Sequence, residues 1–200
     1  MIFVIKPYSR YKQTYFMIII GITGTLGAGK GTVVDYLVKE KGFIHFSVRG
    51  YLAEVIQKNG EEVNRDTLTH TANELRKEHG PAYIIEELYR IAQSTGKDCI
   101  IESIRTPGEI ESLRKQKGFV LLAVDADLKT RYSRIALRKS ETDNISFETF
   151  KSNEEREMHS DDPNKQNLAE CIRQSDHVIN NNGTIEDLHK LIEGVMGEIV

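Results

Sequence analysis

The chain has 200 residues, 39% hydrophobic and 28% charged, with a net charge of −3. That profile suits one globular domain and excludes disordered, collagen-like and membrane-spanning classes. The mildly acidic balance argues against a broad nucleic-acid-binding face but allows a local basic cleft.

Residues 1–16 carry Lys6, Arg10 and Lys12 and no acid. A basic stretch before an apolar run imitates a signal peptide, but no small-residue cleavage site follows. The segment reads as an N-terminal extension outside the fold, with Met17 as a second possible start. The apolar run at 16–22 is too short for a bilayer, which needs about 20 residues. Cys99 and Cys171 have neither zinc-type spacing nor a disulfide framework, so a cytoplasmic setting is expected.

From residue 17 the pattern alternates strand and helix. Residues 17–22 form an apolar run suited to a strand buried on both faces. A glycine-rich loop covers 24–32, and a helix follows over 33–41. Residues 43–46 give a second strand, and 51–58, 65–78 and 82–93 give helices. Residues 98–102 give a third strand, 109–117 a helix and 119–124 a fourth strand. Helices are expected at 129–139, 147–158 and 166–174, a last strand at 177–179 and a closing helix at 185–196. This order predicts an α/β three-layer domain spanning 17–200, with about five parallel strands and helices on both faces. The stretches 47–93 and 129–165 are helix-rich insertions between strands.

The strongest signal is Gly24-Thr25-Leu26-Gly27-Ala28-Gly29-Lys30-Gly31-Thr32. It follows a strand and opens a helix, the context of a phosphate-binding loop. Glycines at 24, 27 and 29 permit positive φ and let the backbone approach an anion. Successive N–H groups then form a nest backed by the positive helix end. Lys30 adds a point charge for the β- and γ-phosphates, and a hydroxyl at the helix start can hold Mg²⁺. The general pattern puts Ser or Thr directly after the lysine; here Gly31 intervenes and Thr32 carries the hydroxyl.

The remaining candidates are weaker and each has a plain structural alternative. Glu102 ends the third strand, as a carboxylate that orients Mg²⁺ would, and Arg105 follows it closely. Arg131, Arg134 and Arg138 fall on one helical stripe, which suits a shared anion or a solvated basic face. Glu141, Asp143, Glu148, Glu154, Glu155, Glu157, Asp161 and Asp162 form an acidic run expected only to neutralise and solvate the region. Ser47 and Arg49 follow the second strand, and Arg65 and Arg76 lie on later helices. Arg76, just before Gly80-Pro81, is the best candidate cation for an acceptor's phosphate. Asn180-Asn181-Asn182-Gly183-Thr184 suits a turn with Thr184 as an N-cap.

The GAGKGT arrangement resembles the loop of adenylate kinase and other nucleoside monophosphate kinases. The arginine helix is similar to the start of their lid, and the Asn-rich loop to the segment that contacts the donor adenine, also in dephospho-coenzyme A kinases. This resemblance covers roughly residues 17–196. It implies a P-loop kinase fold with a helical lid, ATP and Mg²⁺ as cofactors, and a small phosphorylated acceptor rather than a nucleic-acid or membrane partner. By this resemblance Gly24, Thr25, Gly27, Ala28, Gly29, Lys30, Gly31, Thr32, Arg134 and Asn182 hold ATP. Thr32 and Glu102 hold Mg²⁺; Ser47, Arg49, Arg76 and Arg105 hold the acceptor; Lys30, Arg105, Arg134 and Arg138 stabilise the transferred group.

The acceptor can be narrowed chemically. Dephospho-coenzyme A kinases carry an Asp after the second strand that can serve a hydroxyl acceptor as base. Here the stretch is His45-Phe46-Ser47-Val48-Arg49, with no carboxylate. A nucleoside monophosphate presents an anionic oxygen and needs only positioning and charge neutralisation. The expectation is a (deoxy)nucleoside monophosphate kinase. Dephospho-coenzyme A kinase is the alternative within the class, and an ATPase or nucleotide switch without an acceptor is the alternative outside it.

Overall fold

The computed structural model describes residues 17–138 and 145–199. The expected N-terminal extension, residues 1–16, and residues 139–144, with Glu141 and Asp143 of the acidic run, lie outside the described residues.

Strand β1 (Ile19–Gly24) leads through the glycine loop into helix α1 (Lys30–Lys41). Then come β2 (Ile44–Ser47), α2 (Val48–Lys58), α3 (Arg65–His79), α4 (Tyr83–Thr95), β3 (Cys99–Glu102), α5 (Pro107–Arg114) and β4 (Phe119–Asp125). The chain continues with α6 (Leu128–Arg138), α7 (Phe147–Met158), α8 (Leu168–Arg173), β5 (His177–Asn180) and α9 (Ile185–Ile199). The expected elements are all present, with ends moved by a few residues. The five strands form one parallel sheet in the order β2-β3-β1-β4-β5.

Why the strands read as apolar runs is visible in the packing. β1 is buried along its length, with Ile19 facing one layer and Ile20 and Ile22 the other. Likewise Cys99 and Ile101 of β3 point one way and Ile100 the other, the period of two that a pleated strand imposes. One layer packs α2, α3, α4, α5 and α8 on the sheet through Leu52, Ile56, Leu68, Ile84, Leu88 and Leu113. The opposite layer packs α1 and α9 through Val33, Leu37, Leu188 and Ile192. A sheet covered on both faces favours apolar strands; the buried polar side chain of β1, Thr23, donates its hydroxyl to the Ile104 carbonyl at 2.8 Å.

Local chemistry sets the helix starts. Asn64 and Thr106 each build a reciprocal capping box, with Thr67 and Glu109, and Pro107 begins α5. Ser47 caps α2 by accepting from the Gly50 N–H at 3.2 Å. Thr184 accepts from the Asp187 N–H at 3.2 Å at the start of α9, the capping role expected of it. None of the described helices is long and apolar enough to cross a membrane.

In a parallel sheet every strand ends on the same edge. Gly24, Ser47, Glu102, Asp125 and Asn180 therefore meet along the carboxyl edge, where open α/β sheets bind ligands.

Candidate nucleotide and acceptor site

The glycine loop wraps the carboxyl end of β1. A Cβ on Gly24, at φ 128°, would stand 2.0 Å from the Val124 carbonyl oxygen, so only glycine lets the loop turn against β4. Gly29, at φ 103°, is the N-cap of α1, and a Cβ there would meet Asn181 Nδ2 at 2.4 Å. No side chain caps α1. Its first N–H groups and its dipole are left for an anion, unlike those of α2, α3 and α5, which carry caps. Gly27 also takes the expected positive φ.

Three contacts brace this loop. Thr25 Oγ1 donates to Asp125 Oδ1 at 2.6 Å. Asn181 Nδ2 donates to the Ala28 carbonyl at 2.8 Å, from a buried position. Lys30 Nζ donates to the carbonyls of Gly24 and Thr25 at 2.9 and 2.8 Å, which folds the ammonium over the loop. Burial pushes the Lys30 ammonium down from its ordinary 10.5 to about 8. Arg105 and Arg131 add to that, against the opposing carboxylates Glu102 and Glu157.

Glu102 sits at the end of β3, with Oε2 3.1 Å from His45 Nε2 on the neighbouring strand. Burial alone would raise its pKa; the His45 contact, with Lys30 and Arg105, holds it below the usual carboxylate value. An ionised carboxylate and the Thr32 hydroxyl, beside an uncapped helix start, are oxygen donors of the kind Mg²⁺ takes alongside phosphate oxygens. The residues fit that ion. Ser103, next in the chain, is the one non-glycine residue at positive φ (76°) among the described residues.

Beyond Glu102 lies a cavity of about 130 Å³. Val48, Leu52, Leu68 and Ala72 give it an apolar wall, and Leu26 of the glycine loop borders it. Among the described residues its lining carries five guanidinium groups, Arg49, Arg65, Arg76, Arg105 and Arg138, against one carboxylate, Glu157. Arg76 is buried and pairs through Nη2 with the equally buried Glu109 Oε1 at 2.8 Å. The second Glu109 oxygen accepts from the Arg105 and Thr106 N–H groups at 2.7 and 3.0 Å. Glu109 thus ties Arg76 to the backbone that carries Arg105. Arg76 Nη1 is buried without a hydrogen-bond partner.

The candidates fall into groups. Arg49, Arg76, Arg105 and Arg138 meet at the cavity, whereas Ser47 caps α2 and is not part of the lining. The arginine stripe of α6 does not share one anion. Arg131 is buried and bonds Ala126 O and the Glu154 carboxylate, and Arg134 Nη1 donates to the Asn181 carbonyl at 2.8 Å. Only Arg138 of the three reaches the cavity lining. Asn182 Oδ1 accepts from the Asp127 N–H at 2.8 Å, so it ties the loop after β5 to the end of β4.

The acidic run corrects an expectation. It is not merely a solvated surface. Glu154 and Glu157 of α7 turn inward, Glu154 onto Arg131 and Glu157 onto both Arg65 and Arg105. Their only local signal is the i,i+3 spacing that puts them on one helix face. Glu109 has a local signal only for its capping box with Thr106; its pairing with Arg76, like that of Asp125 with Thr25, joins residues far apart in sequence.

An AAA domain model matches residues 20–160. A UPF0200 protein of Methanothermobacter thermautotrophicus is 31% identical over 185 residues, covering 92% of this chain and 91% of the relative. The chain belongs to the AAA domain family and to the UPF0200 proteins. Among solved structures, TT1252 from Thermus thermophilus aligns with a TM-score of 0.58 at 22% identity, over 93% of this chain and all of the other. A gluconokinase from Sinorhizobium meliloti aligns with a TM-score of 0.56 at 11% identity, over 92% and 94% of the two chains. At these identities the likeness shows the fold alone, which is that of a P-loop kinase.

Proposed function

We propose that the protein is an ATP-dependent phosphotransferase whose acceptor carries its own phosphate, with a nucleoside or deoxynucleoside monophosphate as the leading class. The carrying observation is the cavity beside the glycine loop. Among the described residues five arginines line it, and the single carboxylate there is already engaged by two of them. A hydroxyl acceptor wants a free base there. A phosphate acceptor wants fixed cations, which are abundant.

In this reading the N–H groups of residues 24–32 and Lys30 hold the ATP phosphates, and the loop at Asn181–Asn182 flanks the donor base. Thr32 and Glu102 would hold Mg²⁺, which neutralises charge on the phosphate oxygens. Arg49, Arg76 and Arg105 orient the acceptor's phosphate, while Val48, Leu52, Leu68 and Ala72 receive its less polar part. Arg105 and Arg138 face charge that spreads over the transferred group, and Arg134 keeps the Asn181 loop in register. Direct in-line transfer follows, since an anionic acceptor oxygen needs no deprotonation. The free, buried thiols of Cys99 and Cys171 suit a cytoplasmic enzyme.

The test is ADP release from Mg-ATP, with separate additions of ribo- and deoxynucleoside monophosphates, of dephospho-coenzyme A, and of no acceptor. Stimulation by a monophosphate is expected. Stimulation by dephospho-coenzyme A alone would move the acceptor to a sugar hydroxyl, and release without any acceptor would make the protein an ATPase or switch.

A further inference from the structure

Glu157 stands out among the cavity residues. It comes from α7, is 7% exposed, and bridges two guanidinium groups from separate parts of the chain. One oxygen pairs with Arg65 Nη2 of α3, and the other pairs with Arg105 Nη1 at 2.9 Å. A bridging carboxylate of this kind offers two oxygens and one charge. Beside it, Arg76 lines the same cavity with Nη1 lacking a partner. The guanidinium array is therefore only partly satisfied by the group that holds it.

We propose that the Glu157 carboxylate occupies the seat of the acceptor's phosphate, and that the acceptor enters by displacing it. The ligand is a phosphate monoester dianion. This rests on the phosphate-bearing acceptor proposed above. A dianion has three terminal oxygens, enough to take over Arg65 and Arg105 and to reach Arg76 Nη1 as well. Charge and hydrogen-bond count both favour the exchange. Gln166 Oε1, 2.6 Å from Arg105 Nη1, supports the guanidinium through the swap without adding charge.

The rest of α7 is built to stay while Glu157 leaves. Phe150 is fully buried against Tyr132, and Arg131 lies 5.7 Å over its ring. Glu154 holds Arg131 one turn before Glu157. The helix start is anchored on α6, and only its last turn carries the displaceable group. The acidic end of α7 is thus a self-contained occupant that keeps the arginines paired until a better anion arrives, and it links acceptor binding to the position of that turn.

The test uses inorganic phosphate as the probe, titrated calorimetrically into the full chain with the glycine loop saturated by ADP. Glu157→Gln keeps the shape and removes the competing charge, so phosphate affinity rises about fivefold or more. Glu155→Gln, whose side chain is 68% exposed on the outer face of α7, leaves it unchanged. In the wild type, phosphate also alters hydrogen exchange at the end of α7, and that arm decides the matter alone if Glu157→Gln fails to fold. Unchanged or weaker binding to Glu157→Gln, an equal gain in Glu155→Gln, or wild-type exchange indifferent to phosphate overturns the proposal. The two readings fail separately. If phosphate evicts Glu157 but no monophosphate is phosphorylated, the seat stands and the acceptor class falls. If a monophosphate is phosphorylated while Glu157 stays, the seat falls.

Discussion

The two halves of the proposed site are built in opposite ways. The donor half is a single continuous stretch, residues 24–32, whose groups are mostly backbone and whose shape depends on glycine φ angles. The acceptor half is assembled from α2, α3, the turn after β3, α6 and α7, and depends on ion pairs between residues far apart in sequence. Local backbone geometry can specify an anion nest with almost no help from the rest of the chain. A pocket of several arginines cannot stand that way, because like charges need counter-ions fixed in place. Glu109 and Glu157 supply them.

Four experiments would break or sharpen that contrast. The largest effect is expected at Glu109. It and Arg76 are 0% and 1% exposed, so Glu109→Ala leaves a buried guanidinium unpaired and removes the support under Arg105. A stability loss of about 3–5 kcal/mol is expected in denaturant unfolding. A shift under 1 kcal/mol would show that the acceptor half does not depend on its counter-ions. Next is Lys30→Ala, which should slow phosphoryl transfer by about 3–4 kcal/mol while the fold persists. Near-wild-type turnover would remove Lys30 from the donor half.

A smaller effect belongs to Asn181, which with Asp125 braces the loop from far along the chain. Asn181→Ala deletes the bond to the Ala28 carbonyl and should raise the KM for ATP by the equivalent of about 1–3 kcal/mol, with little change in the acceptor's KM. An acceptor effect as large as the ATP effect would mean the two halves are not separable there. The smallest and most specific signal is in pH. The folded Lys30 pKa, about 8, lies below the ordinary 10.5, so between those values the unfolded chain binds more protons. Stability should rise across that window, and the rise should vanish in Lys30→Met. Over the same range kcat/KM for ATP should fall as the free enzyme loses the Lys30 charge. A flat stability profile would place Lys30 in water.

Legibility in the sequence follows the same division. The five strands announced themselves as apolar runs because both faces of the sheet are covered. The glycine loop was legible because its chemistry is contiguous. Arg49, Arg76, Arg105 and Arg138 could be named as cations, but not their assignment. Arg131 lies on the same helical stripe as Arg138 and is spent on Glu154 instead. The acids read as solvent-facing because local pattern carries no information about a partner tens of residues away; Arg131 and Glu154 differ by 23 positions, and Arg105 and Glu157 by 52. Ser47 looked like a ligand group after a strand, while its position before α2 made it a cap.

The central claim is that the arginine cavity receives a phosphate that becomes the acceptor of the γ-phosphoryl group. Following that group directly tests it. With γ-labelled Mg-ATP and a set of nucleoside monophosphates, the account predicts label in a nucleoside diphosphate, formed only when its monophosphate is present. Label found solely in inorganic phosphate, at a rate independent of every monophosphate, would contradict it.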